Sequence, residues 1–167
     1  METGEATSIR RRIRLLLVVF VVGLGFGCQI VLFVRPELAW LNSILGPGTR
    51  TERIWPAMSA WINHLHQGIC ATYTEYPFIA YCMDWLVLAQ VGFMIIFIGA
   101  IMDPVRNLWI IRSGMIICLL HVVTAAVSGG LHGIPFFWQI LDASFGVVGL
   151  FVLYAAYRYV GYLKKVV

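Results

Sequence analysis

The chain has 167 residues, 60% of them hydrophobic and 12% charged, with a mean hydropathy of +0.86 and a net charge of +4. A water-soluble domain of this size cannot carry that balance, and a disordered or collagen-like chain would be polar or periodic, so those classes are excluded. What remains is an all-α integral membrane protein, expected as a single domain built on a bundle of four transmembrane helices.

A bilayer core about 30 Å thick takes about 20 mostly apolar residues per helix. The first such run, Leu15 to Val34, follows the basic residues Arg10, Arg11, Arg12 and Arg14. A cleaved signal peptide is the competing reading, with Gly25-Phe26-Gly27-Cys28 as a weak processing site. The apolar run continues through Gln29 to Val34 and reaches spanning length, so this segment is expected to stay attached. Residues 35–77 form the one long loop. Within it Ile54, Met58, Trp61, Leu65, Ile69 and Tyr73 recur at spacings of three and four, which predicts an amphipathic helix capped by Thr51 with Pro56 in its first turn. Such a helix lies on the membrane surface or caps the bundle.

The second span is Phe78 to Ile101. Asp103-Pro104 then reads as a helix start, with Asp as N-cap and Pro at the first helical position, so the third span, Val105 to Val127, is expected to form a tight hairpin with the second. Arg112 lies inside that third span, where its long stem can snorkel to the headgroups. Ser128 to Pro135 is a turn, and Pro135 opens the fourth span, Phe136 to Tyr157. Trp138 at one end and Tyr154, Tyr157, Tyr159 and Tyr162 at the other read as interfacial anchors.

Orientation follows from the basic residues, because short cytoplasmic loops retain Lys and Arg. With the N-terminus inside, nine of the twelve fall on the cytoplasmic side: Arg10, Arg11, Arg12, Arg14, Arg106, Arg112, Arg158, Lys164 and Lys165. Only Arg35, Arg50 and Arg53 fall outside, so both termini are expected in the cytoplasm. The net charge is then explained by topology and contact with anionic lipid, and no nucleic-acid partner is expected.

In a bilayer, small and polar residues mark the packed face of a helix. The third span carries the stripe Gly114, Cys118, His121, Ala125 and Ser128, and the fourth carries Gln139, Asp142, Gly146 and Gly149. Gly23 and Gly27 form a GxxxG pair in the first span, while Ala89, Gly92 and Gly99 mark a face of the second. Asp84 and Gln90 cannot both point at the bundle centre. At 1.5 Å rise per residue, Asp84, His121 and Asp142 each fall roughly 9 to 12 Å below the outer ends of their helices. They are therefore expected to share a layer, with Gln139 one turn above Asp142, His132 over the opening and Trp138 at its edge.

Ionisable groups at that depth are costly unless paired, solvated or neutralised, and so are functional candidates. Two readings stand. In one, Asp142 and His121 act as an acid/base pair in an outward-facing pocket for a lipophilic small molecule, with Asp84, Gln139, His132 and Trp138 binding it. In the other, the same groups fix helix register in a non-catalytic partner or assembly protein, and the GxxxG pair and the loop helix dock further subunits or a second copy. A small transporter or channel subunit is third. No nucleophile elbow, phosphate loop or HExxH helix selects a reaction.

No metal or cofactor is expected. His64 and His66 point about 200° apart on a helix, and His66 with Cys70 supplies only two ligands. Bis-histidine haem would need a second deep histidine opposite His121. Cys28 and Cys118 read as packing residues. Cys70 and Cys82 would share an oxidising compartment, with a disulfide as the alternative to packing.

The strings Tyr76-Pro77-Phe78-Ile79-Ala80-Tyr81 with Asp84-Trp85, Asp103-Pro104-Val105-Arg106-Asn107, Gly133-Ile134-Pro135-Phe136-Phe137-Trp138-Gln139 and Asp142-Ala143-Ser144-Phe145-Gly146 resemble an uncharacterised family of short bacterial multi-pass inner-membrane proteins. The resemblance runs from the outer helix to the fourth span. It implies a bacterial cytoplasmic-membrane protein and no particular activity.

Overall fold

The computed structural model describes residues 4–166, which contain no strand. The described helices are α1 (Gly4–Leu32), α2 (Val34–Leu45), α3 (Arg50–Ile54), α4 (Pro56–Glu75), α5 (Pro77–Met102), α6 (Leu108–Leu131) and α7 (Phe136–Val166). Four of them, α1, α5, α6 and α7, are long and apolar enough to cross a membrane. By contact the chain divides into two compact units, one running up to Gly25 and resuming at Gly92, the other Phe26–Val91.

In the first unit two helices run further than their apolar spans. α1 begins at Gly4 rather than near Leu15, because Ala6, Ile13 and Leu17 form one buried stripe beneath the arginines. α7 continues past Tyr157 to Val166 for the same reason: Leu153, Ala156, Val160 and Leu163 keep a three-and-four spacing through the charged Arg158. These stripes meet Phe97, Ala100, Ile110, Ile111 and Cys118 in one core. Phe20 packs on Phe97 with ring centroids 4.8 Å apart.

The end of α5 is closed by side chains. Its last carbonyls lack helical partners, and Arg14 supplies them, donating from Nε to Ile101 O and from Nη2 to Met102 O at 3.2 Å each. Asn107 Nδ2 donates to Gly99 O at 2.8 Å. A cation at a helix C-terminus also opposes the helix dipole. The following turn corrects the expected start of the next helix. Asp103 Oδ1 accepts from the backbone N–H of Val105 and Arg106, so it caps the 103–107 turn, and α6 begins at Leu108 behind Asn107. Arg112 Nη2 donates to Tyr157 Oη at 3.3 Å, its guanidinium lying over that ring.

In the second unit the loop holds more helix than its apolar periodicity announces. α2 starts after a single break at Phe33, and Pro36 sits in its first turn, where no N–H is needed. Gln29 Nε2 donates to Glu37 Oε1 across that break. A turn with Gly48 at φ +84° leads to α3, whose Glu52 carboxylate accepts from Gly48 N–H at 2.7 Å. Thr51 therefore lies inside α3, and α4 opens separately with Trp55 at the cap and Pro56 at its first position. Along α4, Met58, Trp61, Leu65, Ile69 and Tyr73 are half-buried, and Ser59 and Ile62 are buried fully. α2 and α3 are the elements α4 packs against.

This core makes a directional prediction. Leu153→Ala, at a fully buried position, removes contacts the helices cannot recover, whereas Leu120→Ala changes an exposed side chain. Leu153→Ala is expected to cost about 2–5 kcal/mol and Leu120→Ala less than about 0.5 kcal/mol, read as thermal midpoints in mild detergent.

Candidate functional site

The site is built by the antiparallel pair α6 and α7. Their connection is a glycine-terminated helix end: Ile134 N–H donates to Gly129 O at 2.9 Å and Gly133 N–H to Gly130 O at 3.4 Å, with Gly133 at φ +68°. That two-bond closure needs a left-handed residue, which glycine supplies without strain. α6 consequently runs to Leu131, beyond the expected end at Val127. Gln139 fastens the turn to α7, its Nε2 donating to Ile134 O at 2.7 Å while its stem lies where a side chain on Gly129 would be.

Below the turn the two small-residue stripes face each other. A Cβ on Gly146 would stand 2.8 Å from the backbone oxygen of Cys118, 2.9 Å from His121 Cδ2 and 2.9 Å from Val122 Cγ2. On Gly149 it would stand 3.0 Å from Cys118 Sγ and 3.2 Å from Phe20 Cε2. Gly114 is filled likewise by Phe97 and Leu153. The GxxxG pair of α1 does not act this way as a pair. Gly27 meets the Gln90 side chain within the second unit, and Gly23 faces open space.

The close approach at Gly146 lets His121 reach across. Its Nε2 lies 3.1 Å from the backbone oxygen of Asp142 and 3.6 Å from Asp142 Oδ1. A carbonyl oxygen only accepts, so this contact places a proton on Nε2, which donates to it. Nδ1 remains as the ring atom able to take up a further proton. Asp142 stands about 9 Å along α7 from Phe136.

A cleft of about 400 Å³ opens beside this pair, lined by His121, Asp142, Gln139, His132 and Trp138 together with Thr124, Ala125, Ser128, Gly129 and Ile134. Five of the six residues singled out in sequence are thus brought together. Asp84 belongs to the second unit, exposed on α5 beside Trp85. The His121 and Asp142 side chains are 42% and 53% exposed. Both sit at the edge of the α6–α7 seam, which is itself filled by Gly114, Cys118, Ala125, Gly129 and Gly146. Thr124 and Ser128 were reachable from sequence, lying three and seven residues after His121 on one helix face. Cys70 and Cys82 are free thiols.

Two glycine substitutions test the seam. Gly146→Ala places a methyl against backbone and is expected to destabilise the protein by about 1–3 kcal/mol. Gly161→Ala, on the same helix with open space around it, is expected to be neutral or stabilising by up to about 1 kcal/mol. Thermal melts of both in one detergent decide it.

Comparison of this chain with protein-family models, with curated proteins and with solved structures finds no match, so its function is argued from this arrangement of side chains.

Proposed function

We propose that the chain is a multi-pass membrane protein that holds a lipophilic small molecule in the α6–α7 cleft, its polar head against Asp142 and His121 and its apolar part along Trp138, Ile134 and Ala125. The observation that carries this reading is the half-exposed placement of an imidazole and a carboxylate at the rim of an open cleft, on two helices apolar enough to span a bilayer. Facing hydrocarbon, such groups cost several kcal/mol, so something polar covers them. The cleft volume falls within the range of small-molecule sites, about 300–1,000 Å³. Hydroxyls at Thr124 and Ser128 add orienting groups. With Nε2–H committed to a carbonyl, Nδ1 and the Asp142 carboxylate are the two atoms able to exchange a proton with a bound head.

The same reading places the protein in a bacterial cytoplasmic membrane with both termini in the cytoplasm and the cleft towards the outside. Arg14 at the end of α5, and Arg10, Arg106 and Lys164 around one cavity, support a common basic end for the helices of the first unit. The bilayer is its immediate partner. The rival reading, a second copy or another membrane protein seated over the pair, is an outcome of the test.

Protein extracted in mild detergent is expected to retain a lipid-like molecule, detected by mass spectrometry of an organic extract. Retention should fall about tenfold or more in Asp142→Asn and in His121→Gln, as the loss of a charged hydrogen bond implies. A stoichiometric protein partner with no retained small molecule, or retention unchanged in both variants, would contradict the proposal.

A further inference from the structure

We propose a second binding site, for a phosphate group, at the opposite end of the first unit from the α6–α7 cleft. A cavity of about 420 Å³ is bounded there by Arg10 of α1, Asp103, Val105 and Arg106 of the turn after α5, and Leu163 and Lys164 of α7. Three cations from three separate segments and one carboxylate line it. That carboxylate is already engaged, with Asp103 Oδ1 accepting from the Val105 and Arg106 amides at 3.2 and 3.0 Å. The carbonyls ending α5 are occupied by Arg14 and Asn107, and three cations against one carboxylate leave the residues lining the cavity with a formal charge of +2. Leu163 is fully buried and Val105 half-buried, which gives the cavity an apolar floor beneath its charged rim.

Two arginines and a lysine lining one space suit a tetrahedral oxyanion, because Arg donates in a planar fork and Lys adds a compact charge. The position favours the phosphate of an anionic lipid. A turn between two spanning helices must lie at the membrane surface, where irregular backbone is tolerated and headgroups stand. Basic cavities between helices at that level recognise phosphate-bearing headgroups, and the apolar floor can receive the start of an acyl chain. None of these residues belongs to the cleft, so the site stands or falls separately from it.

The test uses the full chain in a non-ionic detergent, with thermal midpoint read against added dioctanoylphosphatidylglycerol, dioctanoylphosphatidylcholine or inorganic phosphate. The expected result is a saturable upward shift with phosphatidylglycerol and none with phosphatidylcholine. Inorganic phosphate separates the sources: no shift at matched concentration assigns the site to lipid, and an equal shift supports the site with a soluble phosphate as its occupant. Arg106→Gln and Lys164→Gln, both at exposed positions, should each weaken the phosphatidylglycerol midpoint concentration about fivefold. Arg50→Gln and Arg53→Gln, in the other unit, should leave it unchanged. Equal shifts with both lipids, or unchanged midpoints in the Arg106 and Lys164 variants while their unliganded melts match the parent, would overturn the proposal.

Discussion

Between helices in hydrocarbon there is no water to expel, so contact has to come from packing and from hydrogen bonds that short side chains permit. In this protein that constraint is met along one seam, where α6 and α7 approach so closely that Gly146 has no room for a side chain and a Cβ on Gly149 would stand 3.0 Å from Cys118 Sγ. The approach is what brings the imidazole of His121 to the Asp142 backbone, and what turns Gln139 upward into the space over Gly129. The chemistry of the cleft is therefore a by-product of glycines, and any change in their spacing would separate the polar groups before it unfolded a helix.

The sequence was most legible where a single physical rule governs. Spanning length and the paucity of charge announce the four long helices, and the small-residue stripes of α6 and α7 announce the faces that meet, because bulk is excluded wherever backbones touch. Boundaries were less legible, for identifiable reasons. Arg35-Pro36 reads as an exit from the first span, yet proline costs nothing in a first helical turn, and α2 begins there after a break at Phe33. Asp103-Pro104 carries the composition of a helix start but caps the 103–107 turn that precedes α6. Ala6, Ile13 and Leu17 hide a buried stripe among arginines, which a search for long apolar runs passes over.

Rotation about the helix axis was the least legible quantity. Asp142 and His121 lie on the same stripes as the glycines, and a stripe has a width of several residues, so a group at its edge is half-exposed while its centre is sealed. The two ends of the first unit carry different chemistries, a hydrogen-bonding cleft with two imidazoles and one carboxylate, and a cavity lined by three cations and one carboxylate.

A cross-link measures the register and closeness of the α6–α7 seam directly. A Cβ at position 149 stands 3.0 Å from Cys118 Sγ, which suits a disulfide once a second sulfur is present. In a background with Cys28, Cys70 and Cys82 replaced by serine, Gly149→Cys should join Cys118 within one chain on mild oxidation in membranes, identified by mass spectrometry of the linked peptides. That link is the expected result, with Gly161→Cys remaining free as the control. A folded Gly149→Cys protein that stays unlinked, or links only between two chains, would contradict it.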